Sequence, residues 1–139
     1  MILINQNFKF LEQNLKYNNI LNIDGVFADL GVSSHQFDSA ERGFSIRYDS
    51  VIDMRMNTNS SCNAQQILNE YSESQISNIL FEYADLRNSK DIAKIIVKAR
   101  SLKKITSTSQ LNERLNYLLT NGLYNKILVK VHHALWIEV

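Results

Sequence analysis

Two short apolar runs mark the first 30 residues, at 2–4 and, as VFADL, at 26–30. Uninterrupted apolar runs of this length are typical of strands that are buried on both faces. Between them Phe8, Leu11 and Leu15 recur at helical spacing. Strand, helix and strand in this order predict a parallel βαβ unit and therefore an α/β fold.

The pattern becomes helical after residue 62. Three polar pairs have the spacing of a capping box, which marks a helix start: Asn63 with Gln66, Ser72 with Gln75, and Ser107 with Gln110. Three apolar stripes follow at helical spacing: Ile76, Ile79, Leu80 and Tyr83; Ile92, Ile95, Ile96, Ala99 and Leu102; Leu111, Leu115, Leu118 and Leu119. Residues 63–120 therefore predict a small helical bundle. The last apolar stretch, 127–139, fits either a helix or a strand.

The stretch 31–62 has neither a helical nor a strand period. A connection of this length in a compact domain is usually functional or disordered. Its aromatic and aliphatic side chains, Phe44 and Ile52 among them, favour an ordered segment.

Composition narrows the class of protein. The 139 residues are 45% hydrophobic and 21% charged, which is ordinary for a globular domain. A single cysteine, Cys62, excludes an internal disulfide and favours a reducing, cytoplasmic location. The sequence has no apolar run that could span a bilayer and no signal-peptide start, and no cluster of metal-ligating residues suggests a metal site.

Asp29 closes the second apolar run and is followed by Gly31. In open parallel sheets, ligands bind at the carboxyl ends of the strands, where a carboxylate can accept hydrogen bonds and a glycine lets the ligand approach the backbone. The alternative is a local turn at a strand end, which is a common role for aspartate. The residues by themselves leave both interpretations open.

Four short motifs occur in order between residues 24 and 56: DLGVSS, QFD, ERGFS and DMRM. Together they resemble the signature of the bacterial MraW (RsmH) family, S-adenosylmethionine-dependent methyltransferases that modify the N4 amino group of a cytidine in small-subunit ribosomal RNA. The similarity continues through NEYSE at 69–73, KKITSTSQL at 103–111 and, more loosely, ALWIEV at 134–139. It therefore covers essentially the whole chain.

The resemblance implies a partial Rossmann-like methyltransferase sheet with an inserted all-helical domain. On this basis we expect residues 1–56 to belong to the methyltransferase domain, 57–130 to form the helical insertion that meets the RNA, and 131–139 to return to the methyltransferase domain. The family's cofactor contacts fall on Phe8, Asp29 and Gln36. Phe8 would offer an aromatic face to the adenine, although a core aromatic at the start of a helix is the alternative.

Two departures from the family qualify these expectations. The glycine-rich loop that holds the methionine end of the cofactor has no counterpart in this sequence, and the family continues beyond ALWIEV. We therefore expect an internal fragment of the enzyme, which binds S-adenosylmethionine weakly by itself, or a relic of a truncated gene. The catalytic proton acceptor stays unassigned, with Asp29, a backbone carbonyl of residues 30–33 and Asp53 as candidates.

Basic residues concentrate in the predicted insertion, where residues 87–114 carry a local net charge of +6. Lys94 and Lys98 on one helix face are candidates for RNA phosphates, and Arg42 and Arg55 for guiding a flipped nucleotide. A solvated helix face and ion pairs with nearby aspartates are the respective alternatives.

Other classes of protein stay open as well. The chain also fits a non-catalytic RNA-binding module in which only the basic helices matter. A dehydrogenase is disfavoured, because the sequence lacks the glycine-rich dinucleotide-binding motif. The expected partner is small-subunit ribosomal RNA or the assembled subunit, with no membrane. The sequence leaves open whether the chain forms a homodimer. His132 and His133 are adjacent on one element and point apart, which argues against a metal pair.

Overall fold

The computed structural model describes residues 1–29, 31, 42–46, 48–116 and 124–139 of the chain. The chain divides into two compact units, Met1–Gly31 and Val32–Val139. The described residues contain one α-helix in the first unit and five in the second. None of these helices is long and apolar enough to cross a membrane.

The first unit has one short helical segment. Asn7 Oδ1 accepts a hydrogen bond from Lys9 N at 3.0 Å and so starts a 3-10 turn over Phe8–Phe10. Helix α1 (Leu11–Tyr17) follows directly. The helix predicted between the two apolar runs is therefore confirmed.

In their described residues, the two apolar runs are not strands. Leu3 is 89% exposed and Phe27 is 95% exposed, and the one β-type pairing in the described residues is an isolated antiparallel bridge between Val51 and Ser107. A strand exists only through an adjacent strand that completes its backbone hydrogen bonds, and a local pattern cannot supply that neighbour. Residues 1–29 thus lack the strands that the sequence predicts, and the parallel sheet is not present in the described part of the chain.

Five helices build the second unit. They are α2 (Ala64–Glu70), α3 (Glu73–Ala84), α4 (Ser89–Leu102), α5 (Thr108–Asn116) and α6 (Tyr124–Glu138). Helix α3 packs against α4 and α6, and α4 also packs against α2 and α5. The helical bundle predicted over 63–120 is confirmed for its described residues, and the ambiguous segment near the C-terminal end is a helix.

Two of the three predicted capping boxes are complete. In each, the N-cap side chain accepts from a backbone N–H and the amide three residues later accepts from the N-cap N–H, as seen for Asn63 with Gln66 and Ser72 with Gln75. The third differs, because the Gln110 Oε1 accepts from Thr106 N at 2.9 Å rather than from Ser107. Ser107 Oγ still accepts from Gln110 N, at 3.4 Å.

The core of the second unit is formed by the apolar faces of these helices. In α4, Ile92 and Ile96 are fully buried, whereas Leu102 at the end of the stripe is 79% exposed. In α5, Leu111 and Leu115 are fully buried. Helix α6 contributes Val131 and Leu135, both fully buried. Burial of these side chains, rather than helix propensity, is the main source of stability for helices this short.

The segment 42–56 packs against the helical core. Phe44, Ile52 and Met54 are buried, and the Phe44 ring meets the Trp136 ring edge-on with centroids 6.0 Å apart. Gly43 has a φ of +72°, and a Cβ there would lie 2.5 Å from Val51 O. The order predicted for this stretch is therefore present in its described residues.

Candidate functional site

The predicted cofactor residues Phe8 and Asp29 both lie in the first unit. Phe8 opens the 3-10 turn and is 71% exposed, so its ring is not a core aromatic. Asp29 is also exposed. Gly31 has a φ of +121°, a backbone conformation that residues other than glycine rarely adopt. Gln36 lies outside the described residues.

Arg55 and Asp53 of the DMRM motif form a bidentate ion pair. Arg55 Nε lies 2.9 Å from Asp53 Oδ1, and Arg55 Nη2 lies 2.8 Å from Asp53 Oδ2. The remaining terminal nitrogen, Nη1, donates to the carbonyls of Thr58 and Ser60 at 2.8 and 2.9 Å. The guanidinium therefore closes the loop 53–60 on itself, which is the structural alternative considered for this arginine.

The ion pair alters the acid–base chemistry of Asp53. Hydrogen bonds from the Arg55 guanidinium hold the pKa of the Asp53 carboxyl below its ordinary value. A carboxylate with a lowered pKa is a weaker base, so Asp53 is less suited to accept a proton than an unpaired aspartate. Its backbone carbonyl accepts from Ala64 N at 2.9 Å and thereby tethers the loop to the start of α2.

Arg42 of the ERGFS motif reaches the same loop. Its guanidinium donates to Arg55 O, and the Arg42 carbonyl accepts from Met54 N at 2.9 Å. The guanidinium carbon also lies 5.8 Å from the centroid of the Phe44 ring, a cation–π distance. The structure thus brings the ERGFS and DMRM motifs together, as parts of one folded loop.

The KKITSTSQL stretch closes on the segment that separates those motifs. Thr108 is fully buried and donates its hydroxyl to Tyr48 O at 2.7 Å, and Thr108 N donates to Ser50 O at 3.0 Å. Asp49 Oδ1 accepts from Ser109 N at 3.2 Å. Hydroxyl hydrogen bonds, with Ser109 first, lower the pKa of the Asp49 carboxyl.

The NEYSE stretch joins the same junction through one amide. Asn69 Oδ1 accepts from Ile105 N at 3.0 Å, and Asn69 Nδ2 donates to Ile105 O at 2.7 Å. Four of the stretches that carry the resemblance, ERGFS, DMRM, NEYSE and KKITSTSQL, are therefore connected by contacts within the second unit.

The basic residues of α4 divide into free and engaged ones. Lys94 and Lys98 are exposed, as the sequence predicts for one solvated face. Arg100 is engaged, because its Nη1 donates to Leu68 O at 2.8 Å near the end of α2. The RNA roles of Lys94, Lys98, Arg42 and Arg55 stay predictions.

Two features were not found by the sequence analysis. One is a hydrogen bond of 2.8 Å from Tyr71 Oη to Glu138 Oε1, which raises the pKa of Tyr71 to about 12. The other is a groove between the end of α4 and α5, here called the basic groove, lined by Lys103, Lys104, Ile105, Gln110, Glu113 and Arg114. The net charge of +6 over residues 87–114 was the sequence signal that could have indicated the groove. No sequence pattern indicates that Tyr71 and Glu138 form a pair.

The two histidines of α6 have opposite environments. His132 is buried, its Nε2 lies 3.1 Å from Asn112 Oδ1, and burial lowers its pKa to about 4. His133 is exposed, with its ring 5.5 Å from the Trp136 ring. Over the described ranges, no group of three or more His, Cys, Asp or Glu side chains is placed to hold a metal ion.

Comparison with known protein families finds a match that extends over all 139 residues. Residues 1–139 match the MraW methylase family. The chain belongs to this family. The resemblance drawn from the DLGVSS, QFD, ERGFS and DMRM motifs is thereby confirmed, and the MraW family is of the S-adenosylmethionine-dependent methyltransferase type.

The MraW relatives share one name, Ribosomal RNA small subunit methyltransferase H. The protein from Christiangramia forsetii is 46% identical over 137 residues, and the match covers 99% of this chain and 45% of the relative. The Karelsulcia muelleri protein is 44% identical with the same coverage, and that from Bacteroides thetaiotaomicron is 43% identical over 136 residues. The chain therefore spans about 45% of the length of these curated relatives.

Proposed function

We propose that this chain is part of an enzyme that methylates the N4 amino group of a cytidine in small-subunit ribosomal RNA, with S-adenosylmethionine as the methyl donor. The observation that carries the proposal is the match to the MraW methylase family over 1–139, together with relatives named for methylation of the small-subunit RNA. We place this reaction in the cytoplasm, where small-subunit RNA or the assembled subunit is the partner.

The proposed cofactor contacts are Phe8, Asp29 and Gln36. The exposure of Phe8 and Asp29 supports the first two, because a stacking ring and an accepting carboxylate both have to be accessible to a ligand. The resemblance further supports a methyltransferase domain to which residues 1–56 belong and to which 131–139 return, with 57–130 as the helical insertion.

The chemistry sets the task of the protein side chains. When bound, S-adenosylmethionine supplies a methyl group on a positively charged sulfur. The cytosine N4 is a poor nucleophile because its lone pair is delocalised into the ring, so the protein has to orient the amine and accept its proton. Of the candidate acceptors, Asp53 has its carboxylate engaged by the Arg55 guanidinium, which makes it less suited to this role.

The RNA side of the proposal rests on charge. Lys94 and Lys98 are exposed on α4 and are proposed to contact phosphates. Arg42 and Arg55 are proposed to position the nucleotide through the loop they hold together, rather than as free cations.

A chimera tests the proposal. This chain replaces the matching 137 residues of the Christiangramia forsetii relative, which itself serves as the positive control. Incubation with labelled S-adenosylmethionine and unmethylated small subunits is followed by mass spectrometry of the nucleosides. We expect N4-methylcytidine; a folded chimera that methylates another position, or none, would contradict the proposal.

Asp29→Asn in the chimera tests the cofactor site. Loss of a charged hydrogen-bond acceptor is expected to weaken S-adenosylmethionine binding by roughly 10- to 100-fold. Asp24→Asn changes another exposed aspartate of the same unit and is expected to leave the affinity unchanged. Equal effects of the two changes in calorimetric titration would rule out a specific role for Asp29.

A further inference from the structure

The basic groove brings together three of the cations of the basic stretch 87–114: Lys103, Lys104 and Arg114. Its cavity has a volume of about 90 Å³, which is room for more than one water-sized group. Lys103 and Lys104 follow the end of α4, and Arg114 lies on α5 one helical turn after Gln110. Residues four apart on a helix share a face, so Gln110 and Arg114 line the same wall.

The wall of the basic groove is held in place from both sides. Ile105 is 1% exposed, and its backbone N–H and carbonyl are both bonded to the Asn69 amide. Thr106 O accepts from Ile52 N at 3.3 Å, and Thr106 N donates to Gln110. A binding site gains affinity when its backbone is fixed before the ligand arrives.

The charge of the basic groove is not neutralised within the described ranges. The ion pairs found there are Lys16 with Glu12 and Asp53 with Arg55, and neither involves the groove. Glu113 is the one acidic residue in the lining, against three cations. The groove therefore keeps a net positive charge.

We propose that the basic groove binds a phosphate group of the RNA backbone. This inference rests on the proposed function, because it assigns the groove to the RNA substrate of that enzyme. Two lysine ammonium groups and one guanidinium offer the charge-assisted donors that a phosphate accepts, and a guanidinium can donate to two phosphate oxygens at once. The groove differs from the exposed Lys94 and Lys98 face in having a cavity and a fixed wall.

Salt-dependent RNA binding by the 139-residue chain tests the groove. Lys103→Gln with Lys104→Gln removes two of its charges, and Lys126→Gln with Lys130→Gln removes two from exposed positions of α6. Affinity for a small-subunit ribosomal RNA fragment is measured by fluorescence anisotropy over a range of KCl concentrations, and circular dichroism checks that each variant is folded.

We expect the groove variant to bind roughly tenfold more weakly and to lower the slope of log K against log [salt] by about one per lysine. The α6 variant should keep the wild-type slope, and Lys103→Arg with Lys104→Arg should keep both slope and affinity. Equal losses in the groove and α6 variants, or no loss in the groove variant, would overturn the proposal.

The methylation assay separates this inference from the proposed function. If the chimera methylates the RNA but changes at the groove lysines do not alter RNA affinity, the groove proposal is refuted and the proposed function stands. A chimera that fails to methylate while the chain still binds RNA through the groove refutes the function and supports the groove.

Discussion

At the scale of single residues, Gly43 is the position where the backbone leaves no choice. Its φ of +72° disfavours any side chain, and a Cβ would lie 2.5 Å from Val51 O and 3.0 Å from Asp53 N. These neighbours are backbone atoms, which cannot rotate away. The ERGFS loop therefore needs glycine here in order to pass so close to the DMRM loop.

Gly43→Ala is expected to destabilise the second unit by about 2–4 kcal/mol, the sum of left-handed backbone strain and local overpacking. Urea unfolding followed by circular dichroism measures the change. Gly25→Ala is the control, since beyond its two chain neighbours no atom of the described residues lies within 4 Å of its Cβ position. A loss at Gly43 no larger than that at Gly25 would show that the loop rearranges freely.

Arg55 shows how a residue's environment changes its role. From the sequence, it was a candidate for guiding a nucleotide or for pairing with an aspartate. In the structure, Asp53 and two backbone carbonyls take up its donors. Its contribution to RNA binding stays a prediction, and that contribution now depends on the loop rather than on a free guanidinium.

At the scale of the elements, the helix starts differ in how they are capped. Asn63 forms a complete capping box with Gln66, whereas Asn88 at the start of α4 makes no side-chain capping bond. An N-cap side chain satisfies a backbone N–H that the helix leaves unpaired. The asparagine side chain is therefore expected to contribute more to the free energy of unfolding at position 63 than at position 88.

Asn63→Ala is expected to cost about 1 kcal/mol of the free energy of unfolding. Asn88→Ala, the matched control, should cost clearly less because no capping bond is lost. Denaturant midpoints at constant m-value provide the comparison. Equal costs at both positions would contradict a role for the Asn63 hydrogen bond.

At the scale of the whole second unit, Tyr71 and Glu138 connect residues 67 apart in sequence. The bond links the C-terminal end of α2 to the last residue of α6. The Glu138 carboxylate favours the neutral phenol, which raises the pKa of Tyr71 to about 12 from an ordinary value of 10. The contact therefore stabilises the fold fully below pH 10, and this stabilisation is lost as the pH rises through about 12.

Glu138→Gln is expected to bring the pKa of Tyr71 down toward about 10, because the negative charge is removed. NMR titration of the Tyr71 Cζ resonance follows this residue separately from the other tyrosines. Glu70→Gln removes a carboxylate from the same end of α2 and should leave the pKa of Tyr71 nearly unchanged. A Tyr71 pKa that ignores Glu138→Gln would disprove the contact in solution.

Local patterns determined the helices, two of the capping boxes and the family. Helical spacing and capping depend on residues no more than four positions apart. The helix starts at Asn63 and Ser72 and the apolar stripe through Ile92 and Ile96 could therefore be predicted without knowing the tertiary contacts. The family followed from short motifs whose order is itself a sequence property. The same local evidence also kept the C-terminal stretch ambiguous, because its apolar run fits two periods.

Tertiary structure decided what depends on distant partners. The strands expected at 2–4 and 26–30 need neighbours that the described residues do not provide, and a pattern of side chains cannot create them. The contacts of Asn69 with Ile105 and of Tyr71 with Glu138 join elements that meet only after the helices pack. The same packing places Lys103 and Arg114 along one groove. Hydrogen bonds and ion pairs act over a few ångströms, and the sequence does not show which distant residues come that close. The packing of the helical core therefore determines these contacts.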